Sequence, residues 1–162
     1  AVLPQMKKQN SGRIVNVSAI VGRIGVQFAS PLSCSKFALE GLSESMRYEL
    51  RGTGIITTVI EPAIVKTRFN QNMKYPEKFT SEENKQLIEK VKTQAEKMID
   101  RAGISASEVA QKILDVLGED NPKIRYAVGD MAHELLDNKK LQTDEEFEDS
   151  FTKTFEQAMN EE

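Results

Sequence analysis

The chain of 162 residues has no tryptophan, one cysteine, one histidine and five prolines. A single cysteine, Cys34, excludes an internal disulfide and fits a reducing compartment, so the expected location is cytoplasmic. The lone histidine, His133, has no cysteine or second histidine to share a metal, so no metal site is expected. No apolar run reaches the length of a membrane span and no secretory signal opens the chain, so no membrane partner is expected. The formal charge of -3, without any Lys/Arg-rich run, gives no footprint for nucleic acid. Repeats and low-complexity tracts are also missing. What remains has the composition of an ordinary globular protein, long enough for one domain with a core. Its opening, AVLPQMKKQNSG, reads like the end of a helix running into a loop, which suggests a fragment.

Residues 1–9 place Val2, Leu3 and Met6 on one side, with Lys7 and Lys8 where a helix C-terminus favours cations. Residues 13–19 (RIVNVSA) are rich in β-branched side chains and alternate like a strand. A glycine- and serine-bearing loop follows. Over 31–51, Leu39, Leu42, Met46 and Leu50 recur at helical spacing until Gly52 and Gly54 end the pattern. IITTVI at 55–60 is a second strand, closed by Glu61-Pro62. Strand, helix and strand in so short a stretch predict a right-handed parallel βαβ unit.

Further on, Thr80 and Glu83 have capping-box spacing ahead of an apolar stripe that includes Leu87, Val91, Ala95 and Met98. Ser105 and Glu108 repeat the capping pattern before Val109, Ile113, Val116 and Leu117. These predict helices near 82–101 and 106–118, and KIRYAV at 123–128 predicts a third strand. The stripe faces either the domain core or a bulky apolar ligand. The fold expected is α/β: part of a Rossmann-like, doubly wound parallel sheet, with three strands and flanking helices. Cys34 reads as a small buried apolar residue. From Asp144 onward eight acidic residues stand against one lysine, while Phe147, Phe151, Phe155 and Met159 stand four apart. An acidic amphipathic helix is expected over 136–162, packed on the body at 1–135 or held out for a partner.

Four segments together carry a family resemblance. GRIVNVSAIVGRIG (12–25), SPLSCSKFALEGLSESMRYEL (30–50), IEPAIVKTRF (60–69) and KIRYAVGDMA (123–132) resemble the C-terminal half of short-chain dehydrogenases/reductases. The resemblance implies an NAD(P)-dependent oxidoreductase acting on a small carbonyl or alcohol substrate. In that family a tyrosine exchanges the substrate proton, and a serine hydrogen-bonds the substrate oxygen. A lysine holds the nicotinamide ribose and draws the phenol pKa down from about 10. It also implies homo-oligomers built through the helix near 31–51.

Carried over position by position, Lys36 matches the lysine, and Pro62, Val65 and Thr67 match the segment that closes over NAD or NADP. The tyrosine position holds Leu32 and the serine position holds Ala19. Ser18 is one residue away, which on a strand means the opposite face. Ser33 is about 100° around the helix, and Tyr48 lies turns beyond. Ala63 stands where glycine is usual. No Gly-rich strand-to-helix turn is present to receive a pyrophosphate. Two readings follow: a fragment of an oxidoreductase, inactive on its own, or a non-catalytic structural or interaction module derived from the same family.

Overall fold

The computed structural model describes residues 1–73 and 81–160, apart from the side chains of Asn70 and Met159. The chain runs α1 (Leu3–Gln9), β1 (Gly12–Val17), a 3-10 turn (Ile20–Gly22), α2 (Ser30–Glu49), β2 (Ile55–Pro62) and β3 (Val65–Lys66). It continues through α3 (Glu82–Ala102), β4 (Ile104–Ser105), α4 (Ala106–Gly118), β5 (Arg125–Val128), α5 (Asp130–Leu141) and α6 (Asp144–Asn160).

β1, β2 and β5 form one sheet in that order, and both pairings are parallel. Gly12 lies opposite Ile55 and Val17 opposite Ile60, and Pro62 lies opposite Val128. β2 is the middle strand and is buried almost throughout, which is why its sequence is a nearly unbroken apolar and β-branched run. Side chains on β1 alternate between two layers. Asn16 donates to Ser43 of α2 at 2.8 Å, whereas Val15 packs with Val109 and Val116 of α4. Since neighbouring residues on a strand point to opposite faces, α2 and α4 cover the two sides of the sheet. The fold is the doubly wound parallel α/β expected.

Several elements differ from their sequence expectation. β1 ends at Val17 rather than residue 19, and β2 continues to Pro62. Val65–Lys66 and Ile104–Ser105 form a separate two-residue parallel ladder that no periodicity foreshadowed. α3 is capped by Ser81, whose Oγ accepts from the Asn84 amide at 3.3 Å. The expected cap, Thr80, lies outside the described residues. At α4 the capping box forms as expected. The Ser105 Oγ accepts from the Glu108 amide at 3.1 Å, and the Glu108 carboxylate accepts from the Ser105 amide at 2.8 Å.

On α2 the buried positions are Ser33, Glu40 and Ser43; of the apolar stripe, Leu50 just past the helix end is buried and Leu42 is 54% exposed. Small serines let the helix approach the sheet closely, so the leucines flank the contact. Cys34, expected to be buried, is exposed on the same helix. α5 crosses the boundary expected at residue 135. Its Ala132 and Leu136 pack with Ile20, Ile24 and Phe147 of α6 in one core cluster. Phe147 and Phe151 stack with centroids 5.5 Å apart, and Phe155 meets Phe28 at 6.4 Å. α6 therefore lies along the body through the aromatic face that the sequence marks.

Candidate functional site

The C-terminal ends of β1 and β2 open into a cavity of about 350 Å³. In open parallel sheets this end of the strands is where ligands are received. β1 and the turn after it contribute Val17 and Ala19; α2 contributes Leu32 and Lys36. Pro62, Val65 and Thr67 come from the segment after β2, and Ala95, Met98 and Ile99 from α3. All the residues singled out by the resemblance thus surround one cavity: Lys36, Pro62, Val65 and Thr67, with Ala19 and Leu32. Of the apolar stripe on α3, Ala95 and Met98 line this cavity, while Val91 lines a separate, smaller one beside Phe28.

Lys36 is the one charged side chain in the cavity wall among the described residues. Its Nζ donates to the Val17 carbonyl at 3.0 Å, which ties α2 to the end of β1. Two hydroxyl side chains, Thr67 and Ser18, also line the wall. Thr67 Oγ1 accepts from the Phe69 amide at 3.3 Å. Ser18 Oγ is buried with no partner among the described residues, and it lies against the 3-10 turn. A Cβ added at Gly22 would meet it at 2.8 Å and the Lys36 carbonyl carbon at 3.1 Å. That crowding makes Gly22 the residue that seats the turn on α2, and it places Ser18 in the cleft between them. Ser18 is thus no substitute for a hydroxyl at position 19. Tyr48 is 67% exposed and donates to Glu44 at 2.9 Å, away from the cavity.

A second constellation, absent from the sequence expectations, lies on the α2 side of the sheet. Arg125 donates to Glu40 at 2.8 Å and to Glu44 at 2.6 Å, and its Nε stands 3.6 Å from Glu61. Arg23 reaches Glu61 from the other side at 3.2 Å. Glu40 and Glu61 are 4% and 2% exposed, so their charges are sustainable only with these guanidinium partners. Burial, reinforced by the nearby Glu40 carboxylate, raises the Glu61 pKa above the ordinary carboxylate value. Glu44 is pulled the other way by its hydrogen bond from Arg125. Glu40 Oε1 is buried and accepts no hydrogen bond among the described residues. The sequence did carry a trace of this seam: Glu61 closes an otherwise apolar strand, and Glu40 is flanked by residues of the helix's inward side.

The cavity sets one ammonium in a mostly apolar wall. No strand-to-helix turn among the described residues offers the glycine-lined row of amides that a pyrophosphate needs. Among the described residues, no group of three or more His, Cys, Asp or Glu side chains is placed to hold a metal, and no helix is long and apolar enough to cross a membrane.

A doubly wound parallel sheet with its cavity at the strand ends defines a class, and the comparisons with known proteins narrow it. Residues 1–78 match the short chain dehydrogenase family. The uncharacterized oxidoreductase YbbO of Escherichia coli (strain K12) is 32% identical over 78% of this chain and 43% of its own length. A short-chain dehydrogenase from Streptomyces avermitilis superposes with a TM-score of 0.62 at 30% identity, over 82% of this chain and 47% of that one. One from Burkholderia cenocepacia, solved in complex with NADP, has the same fold, with a TM-score of 0.59 at 22% identity over 83% and 44%. The chain belongs to the short-chain dehydrogenase/reductase family. It spans less than half the length of these relatives.

Proposed function

We propose that this chain forms the nicotinamide and substrate end of an NAD(P)-dependent oxidoreductase scaffold, and that proton transfer to a carbonyl or alcohol has been lost from it. One observation carries the proposal. Leu32 and Ala19, at the positions where the family pattern has tyrosine and serine, line the same cavity as Lys36. In that cavity Lys36 keeps its role as a cation beside a nicotinamide ribose, but among the described residues no phenol lines the cavity to have its pKa lowered. A positioned proton donor contributes about 10²–10⁴ in rate, and Leu32 supplies none. When bound, NAD(P) supplies the hydride; this chain's own residues orient the nicotinamide through Lys36, Pro62, Val65 and Thr67. The single cysteine fits a cytoplasmic setting.

The test is cofactor consumption. The 162-residue chain, given NADH or NADPH with a panel of aldehydes and ketones, is expected to consume neither. Ala19→Ser with Leu32→Tyr in the same chain leaves it inactive, because no pyrophosphate site is added. The pair gains activity once joined to the dinucleotide-binding half of a family relative. Stoichiometric consumption by the unmodified chain would show that another residue moves the proton.

A second reading, an interaction module, draws on α2, whose outer side leaves Phe37 and Leu42 47% and 54% exposed. Sedimentation at increasing concentration tests it: self-association weakened by Leu42→Glu supports pairing through α2.

A further inference from the structure

We infer that the cavity binds an apolar monocarboxylate, with the carboxylate on Lys36 and the hydrocarbon against Leu32, Val65, Met98 and Ile99. The inference rests on the reading that the cavity survives as a binding site without its proton donor. At about 350 Å³ it lies at the small end of ligand sites, which run from roughly 300 to 1,000 Å³. Its wall is mostly apolar, and α3 contributes only the apolar side chains of Ala95, Met98 and Ile99.

Charge then selects the headgroup. An ammonium has three donors, and Lys36 is seen to commit one, to the Val17 carbonyl at 3.0 Å. Among the described residues no acidic side chain lines the cavity, and Glu40, one helical turn further along α2, is turned to Arg125 at 2.8 Å instead. A cation in an apolar wall is poorly solvated, so an anion that accepts its remaining hydrogens gains a charge-assisted bond. The two substitutions sharpen the choice. With Leu32 and Ala19 in place of hydroxyl residues, the hydroxyls left in the wall among the described residues are those of Thr67 and of Ser18, the latter buried under the turn. An amine is repelled by Lys36. One carboxylate matches one ammonium.

The test uses the chain as it stands. Octanoate, octanol and octylamine share a tail and differ in headgroup, and each is titrated by calorimetry and by amide chemical shifts near Val17 and Val65. Octanoate is expected to bind roughly tenfold or more tighter than octanol, the scale of a hydrogen bond to a charged group. Octylamine is expected to be weakest. Lys36→Met is expected to reduce octanoate to the level of octanol, and Lys36→Arg to retain most of the preference. Equal binding of octanoate and octanol by the unmodified chain overturns the inference, whether or not the Lys36→Met variant folds. So does octanoate binding that is unchanged in a folded Lys36→Met. NAD(P)H consumption in a parallel assay overturns the lost-chemistry reading instead. Absence of both octanoate binding and consumption overturns the carboxylate inference alone.

Discussion

Lys36, Glu40 and Glu44 stand at successive four-residue steps along α2, yet they serve two regions built on opposite principles. Around Arg125, three carboxylates and two guanidiniums are arranged so that nearly every charge has a partner. One turn away, Lys36 has a backbone carbonyl and an apolar cavity. Paired buried charges hold elements in register: Arg125 joins β5 to α2, and Glu61 joins the end of β2 to the loop carrying Arg23. A charge without an acidic partner does little for the fold and is available to a ligand. The contrast teaches that on this helix the polar residues that look most interesting in isolation, Glu40 and Glu44, are structural. The lysine beside them is the one on which the proposed function rests.

The sharpest way to break that contrast is to remove the hub. Arg125→Met leaves buried Glu40 without its guanidinium partner and Glu61 with Arg23 alone, and a loss of about 3–5 kcal/mol is expected in urea unfolding. A smaller effect comes from Glu61 and depends on pH. Its folded pKa is raised, so the stability it contributes is complete below the unfolded carboxylate value and declines as pH rises through the folded one. Glu61→Gln is expected to remove that decline, measured as unfolding midpoints from the acid side of the carboxylate range to neutrality. The lowered values of exposed Glu44 and Asp144 act with the opposite sign and are left in place by this change. Glu44→Ala, at a side chain 41% exposed, is expected to lower stability less than Arg125→Met does. Lys36→Met is expected to move stability least, within about 0.5 kcal/mol, while abolishing the preference for carboxylate. If Lys36→Met instead destabilised as much as Arg125→Met, the division between the two regions would collapse.

Local chemistry made much of this fold legible. IITTVI could only be a strand buried on both faces, and the Ser105–Glu108 pair stated where α4 begins. The two-residue β3–β4 ladder was invisible because four residues carry no period. The inward face of α2 was not legible because it carries Ser33 and Ser43, which no hydrophobicity pattern marks, and Cys34 was assigned to the wrong side. The charged seam was hidden for another reason: Arg125 and Glu40 are 85 residues apart, and only the fold brings them together. The cavity was legible as a set of positions through family resemblance. That these positions converge follows from parallel strands ending at the same edge. The apolar character of the remaining wall, from α3, emerges only in three dimensions.

α3 supplies a wall of the cavity while burying none of its own residues completely, and Met98 stays 40% exposed. The helix is therefore short of apolar cover, and a hydrocarbon tail seated beside Met98 and Ile99 would provide it. Ligand binding and consolidation of α3 then become a single thermodynamic event. Its signature is a heat-capacity decrease larger than the ligand's own surface accounts for, together with slower amide exchange along α3. In that sense α3 would be completed by what the cavity holds.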